Sequence, residues 1–184
     1  MELIYFVNLV RFGEVMRTML LSVLLCFALT ISAYGADCPN YFFSVAKSDN
    51  ANVLYYAPNL AKDGTLASRP VEVYWLMHAD DGRKEALTWM EKPHLDVTVK
   101  DIVKGKNYTV NLRDNKLKSR DINIMLDIKG CAMALTEIND RYSYLDEIFV
   151  HVETKGRMIP KIHYVEIKGR SWDSLESISE KIYN

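Results

Sequence analysis

The chain has 184 residues, with 23 Lys and Arg against 24 Asp and Glu, a formal charge of −1 and a hydrophobic share of 49%. That length suits one domain of a folded globular protein, and near-neutrality withholds the basic surface that nucleic-acid binding needs. Gly (8) and Pro (5) are too few for a disordered or collagen-like chain.

The first element in chain order is a targeting segment. Arg17 stands before the apolar run Met19–Leu29, and Ala33-Tyr34-Gly35 supplies the small-x-small exit that a signal peptidase reads. The reading is a signal peptide over 1–35, cleaved before Ala36, with Met16 as the true start, because Glu2 and Glu14 spoil a basic leader upstream. An uncleaved anchor is the competing reading, since the run approaches the ~20 apolar residues that span a bilayer. Ser22, Thr30, Ser32 and Gly35 weaken it. Lipid attachment at Cys38 is disfavoured by Asp37, where a small residue is needed.

Cleavage leaves a single β-rich domain, 36–184, that is periplasmic or secreted and has no membrane span. Cys26 departs with the leader, so Cys38 and Cys131 remain as an even pair. In an oxidising compartment the pair suggests one disulfide, for which chain entropy predicts about 4–5 kcal/mol at most. A buried free Cys131 beside a loose Cys38 is the alternative.

The mature chain reads as sheet. Tyr108, Val110 and Leu112 alternate with polar residues, as do Ile122, Ile124, Leu126 and Ile128, which marks half-buried antiparallel strands. Further strands are expected at Tyr41–Ala46, Asn52–Ala57, Val71–Met77, Ala86–Glu91, Val97–Val103, Ala132–Ile138, Ile148–Thr154 and Ile162–Lys168. Asp81-Gly82 makes Pro70 to Lys92 a hairpin. The fold expected is all-β: a single antiparallel meander closed as a barrel or folded as a sandwich. A short C-terminal helix is added, because Asp173 and Glu176 match a capping box and Leu175, Ile178 and Ile182 share a helical face.

Motifs for catalysis are scarce. His78, His94, His151 and His163 lack metal-ligand spacing, although His151 and His163 would pair if their strands were neighbours. The cluster His78-Ala79-Asp80-Asp81-Gly82 is explained by its turn. The sequence holds no EF-type loop, nucleophile elbow or phosphate-cradling glycine loop, so no catalytic residue, metal or cofactor is assigned. The basic run Lys100, Lys104, Lys106, Arg113, Lys116, Lys118 and Arg120 reads as a solvated hairpin first and as an anion patch second. The Asn107-Tyr108-Thr109 sequon matters only on a eukaryotic secretory route.

Aromatic residues carry the remaining signal. Tyr55, Tyr74, Trp75, Trp89 and Tyr164 are the expected pocket lining, with Arg83 as an anion contact. The expected function is non-catalytic binding of a small apolar or anionic ligand. Its rivals are an envelope protein that meets a partner through the 70–92 hairpin, a small outer-membrane barrel, and an enzyme using His78, Asp80 and His163.

Three strings also resemble a known family. Tyr41–Ser48 with Asn50–Tyr56, Pro70–Met77 with Gly82–Trp89, and Ile162–Arg170 are similar to the opening, central hairpin and end of an uncharacterised bacterial exported family, domain of unknown function 4833. The resemblance covers nearly all of the mature chain. It implies an exported β-rich architecture and supplies no catalytic residue.

Overall fold

The alternation read from the sequence becomes pleat. Tyr108, Val110 and Leu112 lie buried on one face of a strand, and Ile122 and Ile124 are buried on its neighbour. The computed structural model describes residues 39–103, 107–112, 117, 120–153 and 161–183, within one compact unit, Cys38–Asn184. The expected leader, Cys38 and most of the basic run lie outside the described residues.

In chain order the strands are β1 (Phe43–Lys47), β2 (Asn50–Leu60), β3 (Leu66–Leu76) and β4 (Lys84–Ala86), then a one-turn helix, α1 (Lys92–Leu95). There follow β5 (Val97–Val103), β6 (Asn107–Leu112), β7 (Ile122–Leu126), β8 (Ala132–Ile138), β9 (Arg141–Glu153), β10 (Lys161–Ser171) and β11 (Ser177–Tyr183). They form one mixed sheet in the order β4-β3-β2-β1-β9-β8-β7-β6-β5, with β10 beside β9 and β11 beside β10.

The long strands β9 and β10 organise this sheet. The first half of β9 pairs antiparallel with β8, from Ile138↔Arg141 to Leu135↔Tyr144. Its second half pairs with β1, from Ser44↔Glu147 to Lys47↔Val150, and this pairing is parallel. On the other edge β10 follows β9 along its length, with Leu145 opposite Gly169 and Glu147 opposite Lys168. Asp146 is therefore an extra residue, a β-bulge, and such an insertion bends the strand and sharpens its twist. Beyond the bend the sheet divides into two wings, β1–β4 and β5–β8.

The wings face each other. Their inner faces share one core that includes Phe43, Leu54, Val71, Tyr108, Ile124, Ile148 and Ile167. The Tyr108 hydroxyl of one wing donates to the Leu66 carbonyl of the other at 3.4 Å. A sandwich-like all-β fold results, with a parallel pair that a pure meander lacks. Alternation along a strand reports which face is wet and says nothing of which distant strand lies beside it.

Barrel closure does not occur, because the segment from Leu87 to Asp96 crosses from β4 to β5 without pairing as a strand. Thr88 and Glu91 explain why. Glu91 Oε2 accepts from the Thr88 backbone N–H at 2.8 Å and from its hydroxyl at 2.7 Å, and the Glu91 N–H donates to the Thr88 carbonyl at 3.2 Å, which closes a local turn in place of a ladder. These hydrogen bonds hold the Glu91 carboxyl below its ordinary pKa. Pro93 then removes a ladder donor. The strand expected over Ala86–Glu91 accordingly stops at Ala86. The segment fills the seam instead: Leu87 is buried, the Leu95 carbonyl accepts from the Tyr56 hydroxyl at 2.7 Å, and Asp96 pairs with Arg69 at 2.6 Å.

The expected C-terminal helix is instead strand β11, which runs beside β10 from Arg170↔Ser177 to Tyr164↔Tyr183. Ile178 and Ile182 stand four apart, a spacing that fits either period. Their alternation with more exposed neighbours is strand-like. The Asp173/Glu176 capping box is not made. Ser174 Oγ donates to the Glu176 carboxylate at 3.1 Å inside a tight turn, where Leu175 adopts φ 59°.

Between the wings a cavity of about 100 Å3 is lined by Val45, Leu54, Trp75, Leu112, Ile148 and Val165, among others. Small-molecule sites run to roughly 300–1,000 Å3, so this space takes a few methylene groups and no whole ligand. Among the described residues no helix is long and apolar enough to cross a membrane. In the described sheet β4, β5 and β11 are edges, which a bilayer-spanning barrel cannot leave unpaired.

Gly169 sits opposite the bulge, where an added Cβ would run into the Tyr144 carbonyl oxygen and lie 2.9 Å from Ile138 Cδ1. Gly169→Ala is expected to lower unfolding free energy by about 1–3 kcal/mol, as overpacking does. Ser179→Ala, on the adjacent strand, should stay within about 0.5 kcal/mol of wild type. Chemical denaturation of the two variants checks this, and an unchanged midpoint for Gly169→Ala would show that the bend tolerates a side chain.

Candidate functional site

On β9 and β10, alternate residues point outward next to the bulge. Tyr142 and Tyr144 on β9 lie beside Arg170 on β10, and Trp172 follows directly. Trp172 stacks on Tyr144 with ring centroids 5.1 Å apart and an interplanar angle of 27°, and it lies 6.0 Å from the Tyr142 ring. Its backbone N–H donates to the Tyr142 carbonyl at 3.1 Å, which fixes the indole at the strand end.

The Arg170 guanidinium lies 5.5 Å from the centre of the Tyr144 ring. It is held there by two hydrogen bonds to the bulge carboxylate: Nε to Asp146 Oδ2 at 2.9 Å and Nη2 to Oδ1 at 2.8 Å. The hydrogen bond to Asp146 holds the guanidinium pKa above its ordinary value, against a smaller desolvation effect. The pair is about half exposed, so its contribution is orientation more than stability. Trp172 and Tyr142 remain 43% and 45% exposed, forming an aromatic ridge with a braced back and an open front.

Two clefts border the ridge, one lined by Tyr144 and Arg170 and the other by Tyr142. The first, about 380 Å3, opens where β9 passes from β8 to β1, and its walls include Pro39, Tyr41, Ala132, Met133, Tyr144 and Leu145, with Asp146 and Arg170. Neither register includes Leu145 or Asp146 on that edge, so the strands splay there. Asp127, on the rim, accepts from the N–H groups of Lys129 and Cys131 at 2.7 and 2.8 Å and shapes the β7–β8 turn.

The second cleft, about 510 Å3, is polar. Tyr142 forms its margin, with Arg120, Asp121, Asn123, Glu137, Asn139, Asp140 and Glu180 around it. Asn139 and Asp140 both take positive φ, 49° and 59°, as a two-residue hairpin turn requires. The Asn139 N–H donates to Glu180 Oε2 at 2.9 Å, and its side-chain amide donates to the Ser179 carbonyl at 2.7 Å. Arg120 donates to Glu180 Oε1 at 2.7 Å and to the Glu137 carbonyl. Asp121 is held below its ordinary pKa, first by the Lys100 ammonium at 2.7 Å and then by the Asn111 amide.

The residues expected from the sequence fall in several places. Tyr55 and Tyr74 meet, stacked at 5.9 Å on the outer face of β2 and β3, with Tyr41 edge-on to Tyr55 at 4.8 Å. Burial, with Tyr41, Tyr74 and Glu147, raises the Tyr55 hydroxyl pKa. Tyr74 is buried, under the Lys84 ammonium at 4.3 Å. Trp75 faces the core and donates its indole N–H to Glu91 Oε1 at 3.1 Å. Arg83 lies in the β3–β4 turn among Asp80, Asp81 and Glu85, at 3.9, 3.4 and 3.9 Å. Trp89 projects from the crossing segment at 81% exposure. Tyr164, opposite His151 in register, stacks on it at 4.8 Å, and the His163 ring, at a register shift, lies edge-on to His151, 5.8 Å away.

Only Tyr55 and Tyr74 are brought together, and Tyr41 links them to the first cleft. His78 and Asp80 lie in the β3–β4 turn, while His163 on β10 is four strand spacings from β3, about 19 Å along the sheet. Among the described residues no group of three or more His, Cys, Asp or Glu is placed to hold a metal ion. None of the ridge residues is among the expected pocket lining. A signal for them exists: Tyr142-x-Tyr144 and Arg170-x-Trp172 place four stacking groups on alternate positions, hence on one face once their strands pair.

Neither the curated proteins nor the solved structures hold a match to this chain. A family model, described as Domain of unknown function (DUF4833), matches residues 43–181, from the start of β1 into β11. Bulge, ridge and both β9 registers lie inside that span, and the chain belongs to the DUF4833 family.

Proposed function

We propose that the chain is an exported, non-catalytic binding domain that takes its ligand across the aromatic ridge and the clefts beside it. The observation that carries this reading is a stack bearing two half-exposed rings, Trp172 and Tyr142, whose Tyr144 lines a cleft of about 380 Å3 and whose Tyr142 lines one of about 510 Å3. Apolar area left in water forgoes about 25 cal/mol per Å2, so a braced, open aromatic surface is a surface kept for contact. Both clefts fall in the size range of small-molecule sites.

Binding fits the way the carboxylates are held. Asp146 is fixed by Arg170 and Glu180 by Arg120, while Asp127 is held by turn N–H groups. Carboxylates fixed in such hydrogen bonds are oriented in advance of a ligand.

Export rests on the sequence: the apolar run Met19–Leu29, Arg17 before it and Ala33-Tyr34-Gly35 after it. Pro39, the sequence neighbour of Cys38, lines the same cleft as Cys131, and this supports a Cys38–Cys131 bridge. Such a bridge would tether the entry segment to the β7–β8 turn and hold one side of the first cleft.

Two measurements test these readings. In a fragment screen followed by amide correlation NMR, the largest shifts are expected at Tyr142, Tyr144, Arg170 and Trp172. Shifts confined to Tyr55, Tyr74 or Trp89, or no shifts at all, would defeat the assignment of the site. For export, protein recovered from its native host should begin at Ala36 and give a Cys38–Cys131 cross-linked peptide on non-reducing mapping. An intact leader or two alkylatable thiols would refute it.

A further inference from the structure

The chemistry of the ridge and its polar cleft narrows the ligand class, an inference that rests on the binding reading above. We infer that the ligand is a neutral saccharide, with one ring seated on Trp172 and its hydroxyls turned past Tyr142, which is tilted 54° from the indole, into the polar cleft.

Rigidity comes first. Trp172 is backed by Tyr144 at 5.1 Å, and Tyr144 by an Arg170 that Asp146 holds with two hydrogen bonds. A ring so braced loses little conformational freedom on binding, which favours a ligand presenting a flat, weakly polar face. The cleft beside it makes the opposite demand. Asp121, Asn123, Asn139 and Asp140 present planar polar groups, carboxylates that accept and amides that do both. A purely apolar or aromatic ligand would strip water from these groups and return no hydrogen bonds, at about 1–3 kcal/mol for each group left unsatisfied.

Charge removes a further class. Among the described residues the lining holds four carboxylates, on Asp121, Glu137, Asp140 and Glu180, against one guanidinium, on Arg120, which is already paired with Glu180. Lys100 answers Asp121 from outside the lining. Phosphorylated and uronic-acid ligands would meet like charge there. A molecule with a flat C–H face, a rim of hydroxyls that donate and accept, and no negative charge is a neutral pyranose.

The test uses a panel of soluble oligosaccharides built from glucose, mannose, galactose, N-acetylglucosamine and, as the anionic arm, uronic acids. Binding is read by calorimetry and by indole fluorescence. At least one neutral oligosaccharide is expected to bind, and the uronic-acid series is not. Trp172→Ala should weaken that binding at least tenfold with the thermal midpoint retained. Trp172→Phe, which keeps a flat ring, should recover most of it, and Trp89→Ala should leave it unchanged. Binding of the uronic-acid series alone, or neutral binding indifferent to Trp172→Ala, overturns the inference. No saccharide bound while fragments still shift Trp172 and Tyr142 overturns the saccharide class and leaves the binding site standing. Silence in both experiments removes both.

Discussion

One extra residue in β9 governs the architecture. Because Asp146 has no partner of its own on β10, the strand bends there, and its two halves serve different neighbours. The bend requires the β10 backbone to come close to Tyr144. Gly169 permits this, since any Cβ there would meet the Tyr144 carbonyl and Ile138. A straight β9 would carry either β8 or β1 along its length and leave the other wing without an edge to grow from.

The same insertion sets the phase of the side chains. Leu145 and Ile148 are both buried, an interval of three, whereas an unbroken pleat buries every second residue. Tyr142 and Tyr144 thereby face outward before the bulge, and Glu147 faces outward after it, paired with Lys168 at 3.0 Å. Asp146, at the discontinuity, turns to Arg170. The splayed strands that make the first cleft and the carboxylate that braces the ridge therefore have one cause. Fold and site are coupled through a single position.

Much of the sheet was legible in the sequence, because strands with one wet face write their burial as a period of two. β5, β6 and β8 match their expected spans closely, and the His151–His163 pair follows from two strands being neighbours. The misreadings share a physical origin. Ile178 and Ile182 are four apart, where strand and helix patterns coincide, and the unpaired edge of β10 decided between them. Asp173 and Glu176 have capping-box spacing but sit in a tight turn, while Thr88 and Glu91 close a turn just before Pro93, where a strand is blocked. The parallel β1–β9 pair joins segments about a hundred residues apart, and local periodicity carries no information about such pairing. Aromatic density pointed to Tyr55, Tyr74 and Trp75, which are dense because they pack. Tyr142 and Tyr144 are an aromatic concentration visible in the sequence as well, but their union with Arg170 and Trp172 is not, because those residues come from another strand.

The outer face also explains why the ridge, among many aromatic residues, is the surface suited to contact. Elsewhere on that face cations lie against the rings: Lys84 on Tyr74 at 4.3 Å, Lys168 on Phe149 at 4.9 Å and Lys181 on Tyr164 at 4.9 Å. Such a lysine lays its aliphatic stem over the ring while its ammonium stays in water, which hides apolar surface from other molecules. On the ridge the cation sits differently. Arg170 lies against Tyr144, the inner ring of the stack, and is held by the bulge carboxylate, so Trp172 and Tyr142 keep their outward exposure. Trp89 is more exposed still, yet it projects from the crossing turn beside Met90 and is not among the stacked rings. Exposure alone therefore does not single out a contact surface in this protein. Exposure combined with bracing does, and the residue that provides the bracing is the one that bends the sheet.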